Sequence, residues 1–381
     1  MNKNLIICYG GKSTEKDVSI ITALQIYKRF KAKNYDIKLV YIDPIGDWYI
    51  GEKLAEFKNY AGTINCSKLQ KVGLKPNDNY LYKIKNNKFK PLFKIDFALN
   101  CCHGGDGESG KLTALFQMCG IATSTGSCAS MEIMMDKFLT KQLLIANELP
   151  TVDFFAIEKK DWLHNRDKVI TQLTQFGLPV VCKPCSQGSS VGVCLIEWFA
   201  DFETAVNLCF DFGQRVIVER AIVNKREFNV AVKTQNGEIV TSLIEEPIAK
   251  STVISFEDKY MSGSTKIKGV SKLGKFSVAG GMETSERKFP ADINKKLERK
   301  ITYIAKSFYK LINANSVVRI DFLYDKDSGA LYFGEANAIP GSLGYYFFDR
   351  EDFLENIITE SVEYWRKIFM AKFTTPVAKI F

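Results

Sequence analysis

Two short runs near the C-terminus constrain this chain more than any others: Arg319-Ile320-Asp321-Phe322 and Glu335-Ala336-Asn337-Ala338-Ile339-Pro340-Gly341. Residues 317–324 and 330–337 read as two strands, joined by the turn-forming Asp325-Lys326-Asp327-Ser328-Gly329. A hairpin centred on Ser328 sets Asp321 opposite Glu335 and Arg319 opposite Asn337. Side chains alternate along a strand, so all four would share one face. Carboxylates that face each other across a ladder repel. A fold tolerates them best with a cation between, and oxygen ligands of this hardness suit Mg²⁺. Taken alone, the residues also allow a solvated hairpin with acidic tips.

A chain of 381 residues exceeds one typical core, so two or three domains are expected. Hydrophobic content of 46% beside 25% charged residues describes a soluble globular protein. No apolar run approaches the roughly 20 residues that span a bilayer. Met1-Asn2-Lys3-Asn4 leads straight into a strand at 5–9, without a long apolar core or a small-residue cleavage site, so no signal peptide is expected. Most of the ten cysteines lie in apolar stretches, where a thiol behaves as a small hydrophobe. Only Cys182-Lys183-Pro184-Cys185 has CxxC spacing, it has no second CxxC, and the chain has two histidines, His103 and His164. That argues against zinc and for reduced thiols in the cytoplasm. The net charge of +9 is spread among acidic residues with no arginine-rich or aromatic-basic run. That reads as a lysine-rich solvated surface rather than a nucleic-acid footprint, and it fits an anionic substrate such as a nucleotide only weakly.

Residues 1–128 alternate apolar strands (5–9, 37–42, 97–102) with helical stretches (22–30, 112–118), the pattern of an open parallel sheet. Within them, 51–93 is rich in lysine and asparagine and reads as a small hairpin region or an insertion. A second unit, 129–213, holds a helix at 134–147 and strands at 180–183 and 192–196. A third, 214–381, holds strands at 216–219 and 228–233, a long polar loop, a helix at 293–312 and the hairpin.

Gly10-Gly11-Lys12-Ser13-Thr14 looks like half of a P-loop, but the position that needs the first glycine is Ile6, in mid-strand. Gly105-Asp106-Gly107-Glu108-Ser109-Gly110 spells GxGxxG without an acidic residue ending a second strand about twenty positions on, so it is weak evidence for a dinucleotide. The run Lys183-Pro184-Cys185-Ser186-Gln187-Gly188-Ser189-Ser190-Val191-Gly192 is stronger. A strand delivers a lysine, then a loop of small residues presents N–H groups and hydroxyls, as clamping phosphates requires. Lys137 and Lys141 on the preceding helix are candidates for a second phosphate-facing cation. Glu219 at a strand end and Glu227 beyond it offer acceptors for an adenine amino group and ribose hydroxyls; either alone could be a surface glutamate.

Taken in order, these runs resemble the D-alanine–D-alanine ligase family of the ATP-grasp superfamily. The resemblance covers nearly the whole chain: Gly10 to Glu15 with Val18-Ser19, His103 to Gly110, Met135-Asp136-Lys137, Lys183 to Gly192, Glu219, Arg226-Glu227, Asp258-Lys259-Tyr260, Arg319 to Asp321, and Glu335 to Gly341. It implies an α/β and α+β protein, an ATP-grasp fold with an N-terminal open α/β (pre-ATP-grasp) domain. The implied reaction joins two D-amino acids through an acyl phosphate, with ATP and Mg²⁺, or Mn²⁺ in its place, for peptidoglycan precursor synthesis, cell-wall biogenesis and cell shape. The implied partners are amino acids and ATP, with no membrane or nucleic acid, and a homodimer is left open.

By the matched motifs, Lys137, Lys183 and Lys259 would hold ATP phosphates, with Ser189, Ser190 and Val191 lining the loop. Glu219, Ala221, Ile222 and Glu227 would bind adenine and ribose, and Asp321, Glu335 and Asn337 the metal. Glu15 would anchor the first ammonium with Ser189 and Tyr260, and His103 would sit near the first carboxylate. Arg319 and the Gly341 N–H would polarise the carbonyl and stabilise the tetrahedral intermediate. Lys259-Tyr260 lies in a glycine-rich run, 251–287, that resembles the family's lid and its dipeptide-forming members. In the family, a Ser-Leu pair several residues after Pro-Gly binds the second carboxylate, whereas here Ser342-Leu343 follows Gly341 directly. The second substrate is therefore open: a ligase for another amine and a non-catalytic ATP-binding relative are the alternatives.

Overall fold

The computed structural model describes residues 3–31, 33, 35–60, 64–188, 191–248, 287–348 and 352–369. Ser189, Ser190, Lys259, Tyr260 and all of the expected lid but Arg287 lie outside the described residues.

Strand β1 (Lys3–Gly10) pairs in parallel with β2 (Tyr35–Ile42), and helix α1 (Lys16–Lys31) makes the crossover between them. Leu5, Ile6, Ile7, Cys8 and Tyr9 are wholly buried, the near-continuous apolar run of a central parallel strand covered on both faces. The expected all-parallel sheet is corrected here to a mixed one. Beyond β2 the chain runs as an antiparallel meander through β3 (Trp48–Ile50), β4 (Gln70–Lys75), β5 (Asp78–Lys85) and β6 (Lys88–Lys94). Strand β7 (Phe97–Asn100) returns to the parallel side of β1. The region 51–93 is therefore part of the sheet. Asn86 and Asn87 both have positive φ, 50° and 58°, which suits the tight turn between β5 and β6. Strand β6 ends the seven-stranded order β6-β5-β4-β3-β2-β1-β7, and its Lys88, Lys90, Lys94 and Pro91 blunt that edge against further pairing.

Short helices α2 (Gly105–Glu108) and α3 (Lys111–Met118) follow β7. The single helix expected over 134–147 is two, α4 (Cys128–Met135) and α5 (Lys137–Ala146). The break is Asp136, whose Oδ1 accepts the N–H groups of Phe138 and Leu139 at 2.8 and 3.0 Å as the N-cap of α5. Lys137 thereby becomes the first helical residue.

The central sheet contains β8 (Phe154–Glu158), β9 (Val180–Pro184), β10 (Cys194–Ile196) and β11 (Arg215–Arg220), in the order β10-β9-β11-β8. Helices α6 (Lys159–His164), α7 (Arg166–Phe176) and α8 (Phe199–Phe210) cover one face through Trp162, Leu173 and Phe202. This sheet takes in Arg215–Arg220, so it extends past residue 213, where the sequence reading ends the central unit.

The third sheet has the order β13-β12-β16-β17, from β12 (Lys225–Gln235), β13 (Glu238–Thr241), β16 (Val318–Asp325) and β17 (Leu331–Asn337). Strands β14 (Glu246–Pro247) and β15 (Arg287–Lys288) pair beside it. Helix α9 (Lys295–Leu311), capped by Asn294, and helix α10 (Phe353–Phe369) pack on this part. One apolar cluster runs from Leu5 and Phe97 to Phe322 and Trp365, and Trp365 Nε1 donates to the Thr123 carbonyl at 3.0 Å. The first and third parts therefore share a core. None of the ten cysteines is in a disulfide, and no described helix is long and apolar enough to cross a membrane.

The hairpin has the expected register at the site: Asp321 faces Glu335 and Arg319 faces Asn337. The route to it differs from a simple two-fold about Ser328. Nearer the turn Phe322 faces Phe333, and Gly334 is the extra residue of a bulge that brings Glu335 level with Asp321. A Cβ at Gly334 would lie 2.8 Å from the Asp321 carbonyl oxygen. Gly334→Ala is expected to cost about 1–3 kcal/mol of stability, read as a lower urea midpoint with an unchanged slope; a wild-type midpoint would contradict the close approach.

Candidate active site

The face of the third sheet that carries the hairpin's polar residues forms one wall of the site. Arg319 Nε and Nη2 donate to Asp321 Oδ1 and Oδ2 at 2.7 and 2.8 Å, a bidentate pair, and Asn337 Nδ2 donates to Asp321 Oδ2 at 3.2 Å. Burial raises the Asp321 carboxyl and Arg319 opposes it. The charges of Glu335 and Glu227 add to the rise, which leaves Asp321 at about 6. Glu227 reaches this face because β12 pairs with β16 and sets Asn229 opposite Asp321. Its carboxylate is ion-paired with Lys225 at 2.7 Å.

The opposite wall comes from the central sheet and α5. Lys183 Nζ donates to Glu219 Oε2 at 2.7 Å across neighbouring strands β9 and β11. Lys141 Nζ lies 3.4 Å from Glu219 Oε1 and donates to Thr151 Oγ1 at 2.8 Å. Burial alone would raise the Glu219 carboxyl, but Lys183 and Lys141 outweigh it and hold it down at about 2. The same carboxylate reverses the burial effect on Lys183 and raises it, so the pair stays charged. Lys141 is 1% exposed, so it acts as a buried counterion rather than as the second phosphate-facing cation that its spacing allowed. Lys137 is the more accessible of the two. Its Nζ donates to the Gln187 carbonyl at 2.5 Å in the small-residue run, lies 3.9 Å from Glu335, and its N–H reaches the Cys185 carbonyl at 3.0 Å.

Among the other predicted residues, Val191 donates its N–H to the Gly188 carbonyl at 3.0 Å, which turns the loop. The Ala221 N–H is committed to the Pro179 carbonyl at 3.1 Å, so Ala221 offers only its carbonyl, with Ile222 next in line.

The first part of the chain supplies a third wall. The Glu15 carboxylate lies between two glycines: a Cβ at Gly104 would sit 2.7 Å from Oε2, and one at Gly188 would sit 2.6 Å away. Glu15 thus touches both the loop after His103 and the small-residue loop at Gly188. His103 is buried with Nε2 3.0 Å from Thr22 Oγ1; burial first, then the charge of Arg319, lowers its imidazolium to about 4. Ser342 and Leu343 are buried. The Ser342 hydroxyl donates to Gln25 Oε1 at 2.6 Å and its N–H to Thr22 Oγ1 at 3.3 Å, so both face α1. Gly341 opens this turn, in which Ser342, Leu343 and Gly344 all have positive φ.

Sequence reading missed Glu108. Its two oxygens accept the Gly104 N–H at 2.7 Å and the Ile339 N–H at 3.1 Å, which ties the His103 loop to the turn before Gly341. Burial and the charge of Glu15 push it up to about 7. Its signal lay in the run Gly105 to Gly110, in which Gly107-Glu108-Ser109-Gly110 stands where the family has Gly-Glu-Asp-Gly. Thr22 and Gln25 carried no motif at all.

The chain matches the family model for the D-ala D-ala ligase N-terminus over residues 4–126 and that for the D-ala D-ala ligase C-terminus over residues 143–350. The chain belongs to the D-alanine–D-alanine ligase family. A D-alanine–D-alanine ligase of Thermosipho melanesiensis is 31% identical over 388 residues, covering 99% of this chain and 98% of that one. The solved D-alanine–D-alanine ligase from Helicobacter pylori superposes with TM-score 0.74 at 24% identity, covering 94% of this chain and 98% of its own. The VanG D-Ala:D-Ser ligase from Enterococcus faecalis superposes with TM-score 0.73 at 23% identity, covering 97% and 100%. At these identities the solved structures establish the fold, the mixed α/β ATP-grasp architecture of D-alanine–D-alanine ligases.

The donor set suits the divalent cation that the ligase family implies. Asp321, Glu335 and Asn337 offer only hard oxygens, and Asp321 rises to about 6 because burial first, then the charges of Glu335 and Glu227, outweigh Arg319. Proton and metal therefore compete for Asp321. Mn²⁺ binding followed by electron paramagnetic resonance should weaken roughly tenfold between pH 7.5 and pH 5 as the proton takes the carboxylate, and Asp321→Asn should flatten that dependence. An affinity independent of pH would contradict the shared site.

Proposed function

We infer that this chain is an ATP-dependent ligase that joins D-alanine to D-alanine through an acyl phosphate, in the cytoplasm, for peptidoglycan precursor synthesis. The observation that carries this reading is the convergence of Lys137, Lys183, Glu15 and the Arg319–Asp321 pair on one cleft, in a chain similar over its full length to D-alanine–D-alanine ligases.

The first carboxylate attacks the γ-phosphorus of ATP and ADP leaves; the amine of the second amino acid then attacks the acyl carbon and phosphate leaves. The protein contributes positioning and charge neutralisation. Lys137 and Lys183 lie against the phosphates. Glu219 and Glu227, with the carbonyl of Ala221 and the N–H of Ile222, take adenine and ribose. Asp321, Glu335 and Asn337 would hold Mg²⁺, which when bound would neutralise phosphoryl charge. Glu15 orients the first ammonium, and His103, neutral at physiological pH, faces the first carboxylate. Arg319, fixed by Asp321, polarises the carbonyl, and the Gly341 N–H takes the developing oxyanion. Ser189, Ser190, Lys259 and Tyr260 complete the phosphate loop and lid in this reading.

A second reading has a particular observation behind it. The Ser342 hydroxyl is committed to Gln25, with Leu343 buried beside it, so the second carboxylate needs other partners than a Ser-Leu pair. A ligase with a different second amine would satisfy that. Phosphate release measured across pairs of D- and L-amino acids is expected to be fastest with D-alanine alone. Release that needs another amine beside D-alanine would favour the second reading, and ATP binding without turnover of any pair would contradict both.

A further inference from the structure

The contact between His103 and Thr22 fixes more than a distance. Thr22 is 1% exposed, and its hydroxyl has two partners: His103 Nε2 at 3.0 Å and the Ser342 N–H at 3.3 Å. The second partner determines the role of the first. A backbone N–H can only donate, so the Thr22 oxygen accepts from Ser342 and its own proton must go elsewhere. A helical threonine commonly donates to the carbonyl four residues back, as Thr171 and Thr174 do at 2.8 and 2.9 Å. Among the described residues Thr22 makes no such bond, and a buried hydroxyl without an acceptor costs about 1–3 kcal/mol. The remaining acceptor is His103 Nε2.

A neutral imidazole carries one N–H. With Nε2 accepting, that proton lies on Nδ1, which has no hydrogen-bond partner among the described residues and does not belong to the sealed, unpartnered polar atoms. Both ends of the relay are held. The His103 backbone N–H donates to Ser19 Oγ at 2.8 Å, and the Ser342 hydroxyl donates to Gln25 Oε1 at 2.6 Å, which keeps the Ser342 N–H aimed at Thr22.

We propose that Thr22 is a positioning residue that holds His103 as the Nδ1–H tautomer, so that the imidazole offers its single donor to the carboxylate of the first substrate. The identity of that substrate rests on the ligase reading; the tautomer does not. Ser342, displaced from the place of the family's second-carboxylate serine, thereby gains a role in orienting the first substrate.

The chain has two histidines, and His164 is exposed at the end of α6, so it serves as an internal reference. Two-bond ¹H–¹⁵N correlations of the full chain labelled with ¹⁵N-histidine at neutral pH should show His103 as Nδ1–H, with the exposed His164 as the second spin system. Thr22→Val should move His103 towards Nε2–H, and Thr22→Ser should restore the wild-type pattern. Kinetically, Thr22→Val should raise KM for the first-site amino acid by about tenfold, the effect of one hydrogen bond of about 1.4 kcal/mol, and leave KM for ATP unchanged. Thr22→Ser should stay near wild type. An Nε2–H pattern in the wild type overturns the proposal, and that spectrum decides even if Thr22→Val fails to fold. An Nδ1–H pattern that survives in folded Thr22→Val overturns the role of Thr22. An Nδ1–H wild type that turns over no amino acid pair would support the tautomer and count against the ligase reading.

Discussion

Two carboxylates facing each other across a β-ladder are the constraint on which the site depends. Asp321 and Glu335 are directly opposed on β16 and β17, and Glu227 adds a third acid from β12. Like charges so placed are unfavourable, and more so as water is excluded. Compensation comes from three places. Arg319 clamps Asp321 bidentately on the same strand, Lys137 reaches Glu335 from the first turn of α5, and Lys183 feels both Glu335 and Glu227 from the central sheet. The cleft between the second and third sheets is therefore closed by charge.

The same logic explains why the lysines are themselves paired. Lys183 and Lys141 share Glu219, whose carboxyl they hold at about 2, so neither buried ammonium is left uncompensated. At the other end Glu108 accepts backbone N–H groups from both the His103 loop and the turn before Gly341. Thr22 and Gln25 bind the turn after it. The positions where substrates would react are thus held by the first part of the chain as much as by the ATP-grasp sheets.

Much of this was legible in the sequence, for identifiable reasons. The register that opposes Asp321 to Glu335 followed from alternation and the turn-forming run around Ser328, although the bulge at Gly334 that produces it did not. Lys183 and Glu219 were singled out as strand-end residues, Lys183 beside a loop of small residues, and Lys137 as a helical lysine before them; the contacts that join the three were not legible. The meander of 51–93 was hidden because lysines on an exposed edge erase the apolar alternation that marks a strand. The break at Asp136 was hidden because methionines carry the apolar pattern across the cap. Glu108, Thr22 and Gln25 act through contacts with Ile339 and Ser342, hundreds of positions away in the chain, and no local pattern encodes those.

The central claim is that the opposed acids form one cation-dependent unit rather than two solvated side chains. It is tested most directly by the magnesium dependence of turnover in Glu335→Gln. The free Mg²⁺ needed for half-maximal rate should rise by about tenfold or more, as expected when a metal ligand or its support is lost, while the circular dichroism spectrum and urea midpoint stay at wild-type values. A magnesium dependence indistinguishable from wild type would contradict it.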